Sequence, residues 1–206
     1  MATLTSPSVG TSVRAASEAC LGNGALAVSL NLLGTDALVF YRPDLAETDR
    51  RRQVKAAQLA SLEPLETLLT LPVGLPVGMG VLAPQLRSAV ERLPWGAADR
   101  DQREVTRHAV RPLAIDLAVV RATGPGWRGG LERASRFAPF CARALLLDRP
   151  SRRDEDLLME AAFYGIGVLF DGEDGTEMVL EPRPYRPQRH TAAAWCFIEE
   201  FAQRLP

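Results

Sequence analysis

Apolar and polar positions alternate in blocks along this chain, and the blocks set out its elements. Residues 25–33 (ALAVSLNLL) and 36–42 (DALVFYR) are apolar runs either side of Gly34-Thr35, the pattern of a β-hairpin. Polar, Ser- and Thr-rich residues 1–12 ahead of it read as a loose terminus. A helix is predicted from Leu45, with Val54, Ala57 and Ala60 or Ser61 as its apolar stripe and Arg50, Arg51 and Arg52 on its other faces. Pro64 breaks that helix or starts a new short one.

Residues 71–81 (LPVGLPVGMGV) alternate Pro and Gly, which opposes both helix and central strand. Two readings stand: a boundary after an N-terminal subdomain, or an apolar loop packed against something. The boundary reading divides the chain into an extension, 1–82, and a core, 83–206. Pro84 opens a helix with Leu86, Val90 and Leu93 at helical spacing. Residues 105–110 read as a short strand. Between Leu113 and Val120 every position is apolar except Asp116, as in a strand buried on both faces. Helix 127–138, strand 142–148, helix 152–163 and strand 166–170 follow. The turn GEDGT at 172–176 leads into a strand at 177–181. A last helix, 191–205, lines up Trp195, Ile198, Phe201, Ala202 and Leu205 on one face. Strands alternating with helices predict an α/β sandwich with a mixed central sheet.

Composition narrows the partners. The 206 residues are 47% hydrophobic, enough for a real core, and the net charge of −1 gives no global pull toward nucleic acid or anionic membrane. Lys55 is the only lysine; the arginines fit either the bias of a GC-rich, bacterial-type genome or a need for bidentate phosphate contacts. Cys20, Cys141 and Cys196 are odd in number and far apart, and with only His108 and His190 beside them they offer no zinc pattern. They point to a reducing compartment. Residues 1–17 have no secretory pattern, and no apolar run approaches the about 20 residues that span a bilayer. The expectation is a cytoplasmic protein with no membrane partner.

The phrases PLAIDLAVVRA, LERASRFAPFCARALLL and EAAFYGIGVLFDG, in that order, resemble the core of the PD-(D/E)XK, or restriction-endonuclease-like, superfamily. The likeness runs from Pro84 to Leu205 and lies in scaffold phrases rather than in chemistry. It implies a three-layer α/β sandwich with a mixed central sheet, carrying the N-terminal hairpin and helix as an extension. Active members hold Mg²⁺ with acids on adjacent strand ends, and a lysine steadies the attacking water. Asp116 matches the strand acid and is the candidate metal ligand. Glu91 matches a helical acid, and Glu132 a base shifted to the following helix. No Glu-x-Lys follows Asp116, because residues 121–127 are too few for another strand. Arg133 stands where the family often has glutamine, and arginine is a poor proton carrier.

Each candidate also has a plain structural reading. Asp116 fits a hydrogen-bonded strand end, and Glu91 a solvent-facing helix residue. Glu132 fits i, i+4 pairing with Arg128 and Arg136. Asp171, Glu173 and Asp174 fit an acidic hairpin turn rather than a calcium loop. Arg50–Arg52 and the arginines of 149–153 are short basic runs. Arg183, Tyr185, Arg186 and Arg189, strung on prolines in EPRPYRPQRH, form an extended segment that offers guanidinium groups and a ring to nucleic acid, or a solvated connection.

Three functions are therefore expected in order. The first is a catalytically degenerate nuclease-fold protein, a pseudoenzyme needing no cofactor. It acts as a binding or assembly subunit in nucleic-acid metabolism or defence. The second is an active Mg²⁺-dependent nuclease using Glu91, Asp116 and Glu132. The third is a protein-interaction module in which residues 71–81 and the N-terminal hairpin form an apolar surface for a protein partner or homo-oligomer.

Overall fold

The computed structural model describes residues 7–148, 154–173, 175–187 and 189–206. In chain order, α1 (Pro7–Ala16) precedes a hairpin of β1 (Leu26–Leu32) and β2 (Thr35–Pro43). Then come α2 (Leu45–Val54), α3 (Leu62–Thr70), β3 (Pro76–Gly78), α4 (Pro84–Glu91), β4 (Ala98–Arg100) and β5 (Glu104–Arg107). The long strand β6 (Leu113–Ala122) is followed by α5 (Trp127–Ser135), β7 (Ala142–Asp148), α6 (Asp154–Tyr164), β8 (Gly167–Gly172), β9 (Gly175–Leu180) and α7 (Ala192–Gln203).

The chain divides into two compact units, and neither is continuous in sequence. One gathers the described residues up to Arg42 with those from Ile115 to Arg186; the other joins Pro43–Ala114 to Pro187–Pro206. The division does not fall at 82/83. The Pro/Gly run expected to mark a boundary lies inside the second unit. Its middle is the edge strand β3 and its end a single 3-10 turn, with Leu71 and Met79 buried. An edge strand tolerates Pro76 because only one side needs ladder hydrogen bonds.

The first unit is an α/β structure on a six-stranded mixed sheet in the order β1-β2-β6-β7-β8-β9. β6, β7 and β8 run parallel, while β1–β2 and β8–β9 are antiparallel hairpins. Parallel neighbours need crossover connections, and α5 and α6 supply them. Val9 and Val13 of α1 pack on Leu38, Phe40, Leu117, Val119, Ala144 and Leu146, one face of the sheet. Alternate residues of β6 and β7 face the other way. There Gly130 of α5 lies so close that a Cβ would sit 2.6 Å from that of Ala122 and 3.1 Å from Leu145. The result is three layers: helix, sheet, helices.

The second unit has a small antiparallel sheet, β3-β5-β4, and four helices. Leu59, Leu65, Leu68, Leu71, Val90, Leu93, Val105 and Trp195 form its core. The strand expected at 105–110 is thus β5, and it belongs to this sheet.

Three local expectations change. The supposed loose terminus holds α1 from Pro7. The hairpin turn is Leu33-Gly34, one residue earlier than expected, with φ of 52° and 71°. Positive φ at both positions is the type I′ turn that matches strand twist. Finally, α2 ends at Val54 because Lys55 adopts a left-handed conformation (φ 50°). Ala57 and Ala60 therefore lie beyond it. Its inward residue is Glu47, which Arg50 and Arg51 join, so its buried side is ionic rather than apolar.

Candidate functional site

Asp116 sits in β6, and its carboxylate is already taken. Arg42 at the end of β2 grips it bidentately, Nε to Oδ2 at 2.9 Å and Nη2 to Oδ1 at 2.9 Å. The backbone N–H of Gly22 donates to Oδ2 at 3.0 Å. Charge-assisted, forked bonds of this kind are strong and directional. The aspartate side chain is only 10% exposed, and Arg42 closes over it while remaining 44% exposed. A Cβ at position 22 would stand 2.3 Å from Arg42 Nε, so a side chain there would push the guanidinium off the carboxylate. Hydrogen bonding and Coulombic attraction from Asp116 raise the pKa of Arg42, so the clamp stays charged.

The other two acids of the expected site lie on helices. Glu132 is exposed on α5, and Glu91 is exposed on α4 in the second unit. The pairing expected around Glu132 is also different: Arg128 reaches Glu160 of α6 at 3.5 Å, and Arg136 donates to the Leu33 carbonyl at 3.1 Å. Among the described residues, no group of three or more His, Cys, Asp or Glu side chains is placed to hold a metal ion.

A second charged cluster lies at the carboxyl ends of the parallel strands, where α/β sheets commonly bind ligands. Arg121 at the end of β6 donates through Nη2 to Asp148 of β7 and, at 3.1 Å, to Asp171 of β8. Thr176 Oγ1 donates to Asp171 at 3.2 Å. The signal was present in the sequence, where the apolar runs LLLD and VLFD each end on an acid. Only the sheet order reveals that both acids flank one arginine.

Protein-family models, curated proteins and solved structures contain no match to this chain. The site must therefore be read from its own chemistry. In both clusters a guanidinium stands against carboxylate, Arg42 on Asp116 and Arg121 on Asp148 and Asp171. Hard-cation binding requires free carboxylate oxygens, and those of Asp116 already accept from Arg42 and Gly22. With its oxygens so occupied, Asp116 does not fit the role of a Mg²⁺ ligand.

The proline-strung segment is anchored rather than free. Arg183 N–H donates to the Gly165 carbonyl at 3.1 Å, and the Arg183 side chain lies against Gly165. Tyr185 donates its hydroxyl to the Pro139 carbonyl at 2.6 Å, and its ring packs on the core beneath α1. That ring is not presented for base stacking. Arg186 is exposed at the end of the first unit, whereas Arg189, also exposed, belongs to the second. Of the other basic runs, 149–153 lies outside the described residues, as does Asp174 of the acidic turn. Arg52 pairs with Asp49 at 2.9 Å on the surface.

Sequence reasoning missed the ionic core of the second unit. Glu47 receives Arg50 and Arg51; Arg51 also reaches Glu199 of α7 at 2.7 Å, and Trp195 Nε1 donates to Glu199 at 2.8 Å. Burial alone would raise the Glu47 pKa, but the two arginines outweigh it and hold the carboxyl below its usual range. Arg107 lies 4.8 Å over the Trp195 ring and donates to the carbonyls of Leu68, Leu71 and Ala109. Burial, with Arg111 nearby, lowers its pKa. Every carboxylate oxygen in this network meets a donor, the condition under which buried charge is tolerated.

Proposed function

We propose that this chain is a catalytically degenerate protein on a restriction-endonuclease-like scaffold, acting as a binding or assembly subunit. The occupied carboxylate of Asp116 carries the reading. A nuclease of this type needs that acid to hold a cation, and here Arg42 and Gly22 hold it instead. The scaffold half of the proposal is supported by the three-layer arrangement and the mixed sheet, and the degenerate half by the direct passage from β6 into α5, which leaves no strand to carry Glu-x-Lys.

A protein partner fits better than nucleic acid. The net charge is −1, and Tyr185 of the expected basic segment is tied to Pro139. Among the described residues no helix is long and apolar enough to cross a membrane. The three cysteines are free thiols, which suits a reducing, cytoplasmic setting. Cys141 is buried, and loss of hydration pushes its thiol up to about 12, so it serves as packing rather than as a nucleophile.

The test is Mn²⁺ titration calorimetry on this chain and on Asp116→Ala, with divalent-dependent cleavage of duplex and single-stranded DNA assayed alongside. The proposal expects no saturable binding and no cleavage. Metal binding or cleavage that disappears in Asp116→Ala would restore the active-nuclease reading and sink this one.

A further inference from the structure

Helix α6 is apolar on both of its sides. Leu157 and Ala161 are buried on one side, as the core face of a surface helix should be. The opposite side should then be polar. Instead Met159, Ala162 and Phe163 are exposed there, Met159 by 67% and Phe163 by 77%. Residues three and four apart share a helix face, so these three make one apolar strip. Tyr164 packs edge-on to Phe163 with ring centroids 5.2 Å apart and braces that ring. A helix with apolar residues on both sides belongs in an interior, so the strip calls for a cover.

Charge is ordered along the same helix. Its first turn carries Glu155 and Asp156, both exposed, and among the described residues neither makes an ion pair. Its last turn is met by two arginines. Arg143 donates through Nη2 to the Tyr164 carbonyl, and the Arg183 N–H donates to the Gly165 carbonyl at 3.1 Å with its side chain alongside. Burial, and then Arg183, lower the Arg143 pKa, so the two guanidiniums stand close enough to repel. Arg183 is exposed and meets no carboxylate among the described residues. The acidic and basic ends lie about 15 Å apart along the helix axis, too far for an ion pair within one chain. All of these residues belong to the first unit.

We propose that α6 joins two copies of this chain, pairing antiparallel with its counterpart about a two-fold axis between Met159 and Phe163. The inference rests on the assembly reading and names its partner. In this register Met159 faces Phe163 of the second copy, twice by symmetry, and a thioether against a ring is a favourable contact. Ala162 is small enough to let the helices approach. Glu155 and Asp156 fall just beyond the last turn of the second α6, at its Arg143 and Arg183. Two acidic ends therefore meet two basic ends, and the antiparallel helix dipoles act in the same sense. A parallel pair would set acid against acid and arginine against arginine, so the charges select the antiparallel one. An apolar centre with a charged rim is the usual anatomy of a specific contact. An isologous contact of this kind closes at two copies, so it ends assembly instead of propagating it.

The test is sedimentation velocity on the full chain from about 1 to 100 µM, the range suited to a contact one helix in size. Phe163→Gln removes the aromatic half of the central contact from an exposed position. Asp156→Arg and Arg183→Glu each set like charges opposite one another, and the two together restore opposite charges across the axis. Far-UV circular dichroism and melting of each variant report that the fold is kept. The expected result is a dimer for the natural chain, a dimer about tenfold weaker for each single variant, and recovery in Asp156→Arg/Arg183→Glu. A natural chain that stays monomeric throughout, or a dimer unmoved by Phe163→Gln and by the charge exchanges, overturns the inference. Neither result touches the metal and cleavage test. A dimer that cleaves DNA through Asp116 would defeat the proposed function and leave this interface standing.

Discussion

Asp116 and Glu47 show how one residue type takes its meaning from its neighbours. Asp116 is visible in the sequence as the single polar position of an apolar strand. Arg42, which neutralises it, is 74 positions away, so nothing local announced the pair. Removing the arginine strips three donor contacts from a nearly buried carboxylate. Because Arg42 itself is nearly half exposed, water offsets part of the loss. Arg42→Ala should therefore destabilise the chain by about 1–2 kcal/mol in urea unfolding. Glu47 gives a pH test. Its folded pKa lies below the unfolded value of about 4.3, so its contribution is complete above that pH. It is lost as pH falls through the folded value. Melting temperature followed from pH 7 into acid should fall for the natural chain and more gently for Glu47→Gln. Parallel slopes would mean that Glu47 does not govern acid stability.

At the scale of elements, legibility followed the source of stability. Strand β7 coincides with the run read at 142–148, and β6 with the run around Asp116, because strands buried on both faces need continuous apolar sequence. Helix α7 was legible from the stripe of Trp195, Ile198 and Phe201, all buried. Helix α2 was misread because its buried side is Glu47 with two arginines, and hydrophobic periodicity carries no record of buried ion pairs. The turn was misplaced because Leu33 occupies a left-handed position that favours Gly, Asn or Asp. That misfit can be corrected. Leu33→Asn creates the Asn-Gly pair preferred in type I′ turns while keeping the carbonyl that Arg136 contacts. It should raise stability by about 1 kcal/mol, read as a higher urea midpoint with an unchanged slope.

Across the whole molecule, the interleaving of the units was the feature least open to sequence reasoning. Local composition marks linkers, yet of the three crossing points the first two, at 42/43 and 114/115, fall within β2 and β6, and only the third, at 186/187, lies in a Pro-rich stretch. The candidate clusters were hidden for the same reason, since sheet order places Arg121 beside Asp148 and Asp171. The arrangement makes a sharp prediction for the C-terminal segment. α7 supplies Trp195 and Ala192 to the core of the second unit, Glu199 to its ionic network, and the ring under Arg107. Without Pro187–Pro206, Arg51 and Arg107 lose those partners in a low-dielectric interior, and a half-emptied core cannot offset them. The first unit contains no residue of that segment, and its cores lie on β2, β6, β7 and β8. A chain ending at Arg186 should therefore lose amide protection throughout α3, α4 and β5 while β7 and β8 stay protected. Hydrogen exchange read by mass spectrometry separates the two groups. Collapse of protection in β7 and β8 as well would show that the first unit depends on the second for its stability.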